Sequence, residues 1–406
     1  MNVLEILFWV CCACVGYAYV GYPLLLWVWA RLRPNPPLRQ PFTGSVSIIL
    51  AARNEEATVV ARLEELCRHL RQGGWHGEVV LVSDGSTDAT AFKAREFAEA
   101  AADQTLVSVL ELPGNVGKSA ALTIACQSAT GDIVAFADAR QTWADDALAQ
   151  MLENFADPRV GAVSGDLVLQ SGPGVLGGVG LYWRFEKWLR KTESLIHAQI
   201  GVTGAISAVR RELFRPIPQG TILDDVYWPL NVAMQGYRVV HDGRAQAFDR
   251  LPNRTQDEFR RKVRTLSGNF QLAWRIPTSL LPWRNPIWLA WISHKLLRLA
   301  VPWALLGMLI CSAVLPGPLF TAALVVQVAG YVVGLLGLVP ALANRFRLAG
   351  AAGSFLVLNA AAGFALFIWL GGRADRTWHK ISYKDLRELS GKNGEPSPLR
   401  GFAQRL

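Results

Sequence analysis

The sequence predicts an α/β domain with a mixed, mostly parallel sheet, joined to transmembrane and interfacial α-helices. Three observations predict it. Residues 45–275 alternate short β-rich runs with helix-period stretches, as parallel strands joined by crossover helices do. Polar clusters follow successive strands, where such sheets bind ligands. The flanks carry apolar runs near the roughly 20 residues that cross a bilayer.

The composition agrees. Of 406 residues, 51% are hydrophobic and only 18% charged, and the mean hydropathy is +0.22. The net charge is +9. Much of the basic excess flanks apolar runs, at Arg31, Arg33 and Arg39, at Arg260 to Arg264, and from Arg373 onward. Anionic lipid and the positive-inside bias explain that placement more simply than nucleic acid does. The expected partner is therefore a lipid bilayer, with no nucleic acid. The six cysteines show no zinc or disulfide-framework spacing.

Residues 3–30 form the first apolar run. Glu5 near its start, and Arg31 and Arg33 after it, favour a retained helix over a cleaved signal peptide. The positive-inside rule then places residues 1–34 as an anchor with the following domain in the cytoplasm, on the inner cell membrane. Further apolar runs lie at about 296–315, 319–341 and 350–370, within a region spanning 286–371. Four spans would put the C-terminus outside. The basic tail, residues 372–406 with Arg373, Arg376, Lys380, Lys384 and Arg387, argues for inside. The sequence leaves these two open.

Within the domain, Val46–Ala51 reads as a buried strand, followed by a helix over about 57–72. Glu78–Ser83 and a helix from Thr87 to about Ala102 come next. Leu106–Leu112 is a third strand, and a helix over about 117–129 leads to a fourth, Ile133–Ala137. The polar groups after or near these strand ends are Arg53 to Glu56, Asp84 to Asp88, then Asn115, Gly117 and Lys118, and finally Asp138 and Arg140. Asp84-Gly-Ser-Thr-Asp88 taken alone reads equally well as a turn with a helix cap. Asn115-Val-Gly-Lys118 lacks the spacing of a P-loop.

Together these motifs resemble the membrane-bound branch of the family-two glycosyltransferases, which have the GT-A fold. That branch includes cellulose, chitin, hyaluronan and poly-N-acetylglucosamine synthase-like enzymes. The resemblance rests on order and spacing. Val46-Ser-Ile-Ile-Leu-Ala-Ala-Arg-Asn-Glu-Glu56 looks like the family's opening strand and nucleotide-base loop, which implicates Ala52, Asn54 and Glu55. Val82-Ser-Asp-Gly-Ser-Thr-Asp88 looks like its Asp-Asp-Gly-Ser-x-Asp motif, with Ser83 for the first Asp and Asp84 expected near the base. Lys118 is expected near the sugar nucleotide.

Phe136-Ala-Asp-Ala-Arg140 occupies the place of Asp-x-Asp, where the family holds a divalent ion on the diphosphate. Oxygen ligands suit Mg²⁺ or Mn²⁺. Asp138 is the one carboxylate left for a metal. Arg140 replaces the second and could meet phosphate directly. Leu223-Asp-Asp-Val226 matches Thr-Glu-Asp, so the resemblance implies that Asp225 is the general base and Asp224 lies on the acceptor side. Both would also suit a helix N-terminus. Arg261-Lys-Val-Arg-Thr-Leu-Ser-Gly268 aligns with Gln-x-x-Arg-Trp. Arg264 is kept as a diphosphate contact, while Thr265 replaces the Trp associated with polymer in processive enzymes. Gly201-Val-Thr-Gly-Ala205 resembles the acceptor-side turn and makes Gly204 a candidate.

Two helices look amphipathic. Residues 181–199 place Leu181, Phe185, Trp188, Leu189, Leu195 and Ile196 on one stripe. Residues 256–275 do so with Phe259, Val263, Leu266 and Phe270. Both suit a membrane surface, or packing on the domain's own core.

The implied reaction is an inverting transfer from a nucleotide sugar, UDP-linked by resemblance, to a hydroxyl on a carbohydrate or lipid-linked acceptor. It fits polysaccharide or glycoconjugate synthesis. The rivals are sugar transfer to polyprenyl phosphate, and a non-catalytic membrane protein with a degenerate nucleotide-sugar domain.

Overall fold

The computed structural model describes residues 2–102, 105–170, 177–250 and 255–372. The basic tail from Arg373 lies outside them. Eight strands form one sheet in the order β3-β2-β1-β4-β7-β6-β8-β5. They are β1 (Val46–Ala52), β2 (Gly77–Asp84), β3 (Leu106–Leu112), β4 (Ile133–Asp138), β5 (Thr142–Trp143), β6 (Val160–Gln170), β7 (Ile206–Arg210) and β8 (Arg238–Arg250). The β1–β2, β1–β4, β2–β3 and β6–β8 pairs are parallel, and the β4–β7, β6–β7 and β5–β8 pairs are antiparallel. The four strands read from sequence are the parallel half. β1, β2 and β4 are nearly all buried because helices cover both faces, while β3 at the sheet edge is mostly half-buried.

The helices are α1 (Val3–Gly16), α2 (Tyr22–Leu32), α3 (Val59–Gly73), α4 (Thr90–Ala101), α5 (Lys118–Ser128), α6 (Ala147–Leu152), α7 (Gly177–Ile196), α8 (Asp224–Met234), α9 (Thr255–Arg275), α10 (Trp288–Ala290), α11 (Leu297–Val314), α12 (Pro318–Leu336), α13 (Pro340–Arg345) and α14 (Arg347–Leu370). One face of the sheet packs against Val59, Leu63, Leu66 and Leu70 of α3 and Leu148 and Met151 of α6. The other packs against Leu122 of α5, Trp228 and Leu230 of α8, and Leu272 of α9. The chain steps from β1 outward to β2 and β3, then returns to the far side of β1 as β4. The reversal opens a crevice at the carboxyl ends of β1 and β4.

The second helix begins at Thr90, not Thr87, because Asp88 accepts hydrogen bonds from the Thr90 amide (3.0 Å) and hydroxyl (2.5 Å). Asp84–Asp88 is thus a turn and cap, whatever else it does.

Among the described residues, four helical stretches are long and apolar enough to cross a membrane: Val3–Leu32, Trp288–Val314, Pro318–Leu336 and Leu348–Leu370. The second begins eight residues before the expected 296. A π-helical segment, Trp291–Leu296, lies in it, and another, Tyr17–Gly21, joins α1 to α2. The two meet where Tyr17 Oη and Ser293 Oγ lie 2.9 Å apart.

The amphipathic helices do not lie free on a surface. Leu189 of α7 is fully buried against Tyr22 and Leu26 of α2. On α9, Phe259 meets Phe364, and Phe270 stacks on Trp369 of α14. Both helices dock on apolar helices, and α9 also sends Leu272 into the core of the domain. Leu181 carries no described side chain. Deeper in the same interface, Glu186 of α7 meets His294 Nε2 (3.0 Å) and Arg298. Glu193 accepts from Tyr22 Oη (2.8 Å) and pairs with His294 Nδ1 (2.8 Å).

Candidate active site

Sheet topology gathers the predicted residues at one crevice. Asp138 ends β4, and Lys118 begins α5. Lys118 Nζ donates to Asp138 Oδ1 at 2.7 Å and lies 4.0 Å from Asp224 Oδ2. Burial would lower the ammonium's pKa, but Asp138 and Asp224 more than reverse that, so Lys118 stays charged. Gly204 completes the wall, because a Cβ there would sit 3.5 Å from Lys118 Nζ. One narrow cavity is lined by Lys118, Asp138, Gly204, Asp224, Asp225 and Trp228, among others.

Asp225 stands in the first turn of α8. Its carbonyl accepts from the Val202 amide at 2.7 Å. The 201–205 turn is itself held, since the Thr203 amide donates to Ser164 Oγ (3.0 Å) and Trp143 Nε1 to the Ala205 carbonyl (2.8 Å). Burial and the neighbouring Asp224 push the Asp225 carboxyl up to about 6, against the pull of Lys118, Arg190 and Arg264. A carboxylate at that value is a better proton acceptor near neutrality than an ordinary one.

The approach to Asp224 is clamped from α9. Gln271 Oε1 accepts from the Ile222 amide (2.9 Å), its Nε2 donates to the Gly220 carbonyl (2.8 Å), and Arg275 reaches the Gln219 carbonyl (3.1 Å). Gly268 permits the contact, because a Cβ there would fall 2.6 Å from Leu223 Cγ.

The donor-side loops are cross-braced. Asp84 was expected beside the base. Its Oδ1 accepts from the Val116 amide (2.7 Å) and its Oδ2 from the Gly117 amide (3.0 Å), so it fixes the loop that launches Lys118. Gly85 has φ +58°, and a Cβ there would lie 2.4 Å from the Gly114 carbonyl carbon. Ala52 is buried at the end of β1. Asn54 has φ +54°, a left-handed conformation that Asn tolerates. Its Oδ1 accepts from the Thr87 amide (2.8 Å), and the Glu55 amide donates to Thr90 Oγ1 (2.7 Å). These loops therefore form one rigid rim. Asp84→Ala strands the Val116 amide and leaves the Gly117 amide with only Asn115 Oδ1 (3.1 Å). It is expected to cost about 1–3 kcal/mol of stability and to raise the donor KM, read by thermal unfolding and initial rates.

Arg140 is the departure from expectation. Its guanidinium is not left to a ligand alone: Nη2 pairs with Asp249 Oδ2 on β8 at 3.0 Å, and Gln141 Nε2 donates to the same oxygen at 2.9 Å. Arg62 and Arg190 escaped the sequence reading. Arg62 Nε donates to the Asp138 carbonyl (3.1 Å) while Nη1 pairs with Glu65 (2.8 Å), bracing the end of β4. Its signal was available: a charge on the stripe formed by Val59, Leu63, Leu66 and Leu70. Arg190 of α7 has a buried Nε with no hydrogen-bond partner.

Known proteins resemble the chain in sequence and in fold. Residues 47–217 match Glycosyl transferase family 2. The chain is 23% identical over 287 residues to a poly-beta-1,6-N-acetyl-D-glucosamine synthase of Staphylococcus aureus, covering 66% of this chain and 67% of that protein. A dolichyl-phosphate beta-glucosyltransferase of Trichomonas vaginalis is 37% identical over 99 residues, or 23% of this chain and 29% of that one. The mannosyltransferase PcManGT from Pyrobaculum calidifontis, solved with GDP-Man and Mn²⁺, superposes with a TM-score of 0.68 at 25% identity. That match covers 91% of this chain and all of that one. With its GT-A sheet, its strand-end motifs and, among the described residues, four helices apolar enough for a membrane, the chain is a glycosyltransferase that resembles family two over residues 47–217.

Proposed function

We propose that the chain transfers a sugar, with inversion, from a nucleoside diphosphate sugar to a hydroxyl acceptor at the cytoplasmic face of the inner cell membrane. The acceptor is a carbohydrate or a lipid-linked glycan, as polysaccharide or glycoconjugate synthesis requires. One observation carries the reading: Asp225, with its carboxyl pushed up to about 6, faces Lys118, Asp138 and Asp224 across a single cavity. A donor lying over the ends of β1 and β4 puts its diphosphate toward Lys118, which offsets charge growing on the leaving group. Arg264 supports it from α9. Asp225 then takes the proton of the acceptor hydroxyl as that oxygen attacks the opposite face of the anomeric carbon.

The domain reading follows the same division: an anchor at 1–34, a catalytic unit at 45–275, apolar helices at 286–371 and a tail at 372–406. Docking of α7 and α9 on apolar helices supports an acceptor site held beside the bilayer.

The fit of a divalent ion is poor. Asp138 already binds an ammonium, and Arg140 stands two residues on. Among the described residues no group of three or more His, Cys, Asp or Glu could hold a metal ion. No step here is routed through Mg²⁺ or Mn²⁺.

A raised base favours a hydroxyl acceptor over a polyprenyl phosphate, which is already ionised. Because the free carboxylate is the active form, kcat/KM should rise with pH through about 6 and level off above it. The test is incubation of the purified chain with a panel of UDP- and GDP-sugars, followed by lipid extraction and product sizing. Product confined to a polyprenyl phosphate fraction would overturn the hydroxyl-acceptor reading. No nucleoside diphosphate release with any donor would favour the non-catalytic alternative.

A further inference from the structure

We propose that this enzyme holds the donor diphosphate with resident side-chain cations, Lys118 and Arg140, where the family pattern calls for a divalent ion. The inference rests on the nucleotide-sugar reading above and deepens it. Three features carry it. First, the carboxylate that survives from the Asp-x-Asp pattern is engaged: Lys118 Nζ sits 2.7 Å from Asp138 Oδ1, with Asp224 as its second anion at 4.0 Å. Second, the missing carboxylate of the pattern is replaced in sequence by a cation, Arg140, so Asp138 keeps an ammonium at 2.7 Å and gains no second acid two residues on. Third, that guanidinium is built into the fold. Asp249 is only 10% exposed and takes both Arg140 Nη2 and Gln141 Nε2 on one oxygen, whereas the Arg140 side chain remains 46% exposed.

Asp249 sits on β8 beside Leu169 of β6, so the sheet sets its position. It pre-orients the planar fork, which can keep an N–H toward an incoming phosphate while one nitrogen is anchored. Asp249 is thus a positioning residue.

The experiment uses the full chain in detergent micelles and two readouts. The first is UDP and GDP binding by calorimetry, in EDTA and in Mn²⁺. Wild-type affinity for the nucleotide that binds should differ less than about twofold between buffers. Loss of a charge-assisted contact in Arg140→Ala should weaken it ~10–100-fold in EDTA. Binding that falls tenfold or more in EDTA and returns with Mn²⁺ overturns the proposal. The second readout is Mn²⁺ alone, by electron paramagnetic resonance. Wild type should bind no Mn²⁺ that Asp138→Asn removes. R140D, which restores the second carboxylate of the Asp-x-Asp pattern two residues after Asp138, should gain Mn²⁺ binding. Tight wild-type Mn²⁺ binding that Asp138→Asn abolishes overturns the proposal even if neither nucleotide binds. Failure of both nucleotides in both buffers strikes the donor reading alone, and the metal titration still decides this one.

Discussion

Asp225→Asn is expected to lower kcat by roughly 10²–10⁴-fold, the usual contribution of a positioned general base. The donor KM should move little, because the amide keeps the shape of the carboxyl and the Val202–Asp225 backbone hydrogen bond is untouched. Stability separates this from a structural role. A carboxyl raised to about 6 in the folded state favours its neutral form. Its contribution is complete below the unfolded value near 4 and is lost as pH rises through about 6. The Asn variant has no charge to bury, so above pH 6 it should unfold no earlier than wild type. An inactive variant of unchanged or higher Tm, with the residual rate flat across pH 6, is the expected outcome. Wild-type turnover in this variant would remove Asp225 from the mechanism.

Glu186→Ala is expected to cost about 3–5 kcal/mol, the penalty for removing one partner of a buried ion pair. Burial alone would raise the carboxyl's pKa, but Arg298 and His294 hold it well below the ordinary range. Deleting it leaves both groups in the α7–α11 interface without that counter-charge. Thermal unfolding in detergent, with the yield of folded protein after extraction, reads the effect. Glu186→Gln, which keeps the volume and one acceptor, should lose less. If Glu186→Ala unfolds within a degree or two of wild type, the interface is not the clamp described above.

The parallel half of the sheet was legible because buried strands are continuous apolar runs ending in polar motifs. Val46–Ala52 and Leu106–Leu112 stand close to where the pattern put them. The antiparallel half was harder to read. β8 carries Arg238, His241, Asp242, Arg244 and Asp249. Asp242 and Arg244 pair locally, but Arg238 and Asp249 find partners distant in sequence, in the His197 carbonyl (3.0 Å) and Arg140 (3.0 Å). No local period discloses that. The same holds within the site. Lys118, Asp138, Asp224 and Asp225 were found from motifs, and the fold brings them to one cavity. The Arg140–Asp249 pair joins residues 109 apart, and His294 meets Glu186 across 108. One clue was available: Glu186, Leu189, Glu193 and Ile196 share a helical face, and two acids on such a face call for cations elsewhere.

The α7–α11 junction also bears on how the chain is made. Trp288–Val314 must carry His294, Lys295 and Arg298 into or beside the bilayer, and a permanent cation such as Arg298 costs about 2.5–3.5 kcal/mol at mid-membrane. Their counter-charges, Glu186 and Glu193, lie about a hundred residues earlier, so they leave the ribosome first. A folded catalytic domain already docked on α2 would present both acids as this helix emerges. Synthesis order therefore favours a catalytic domain that ripens before the later helices arrive and then serves as their insertion template. A catalytic domain expressed without them would keep Glu186 and Glu193 facing a bare surface.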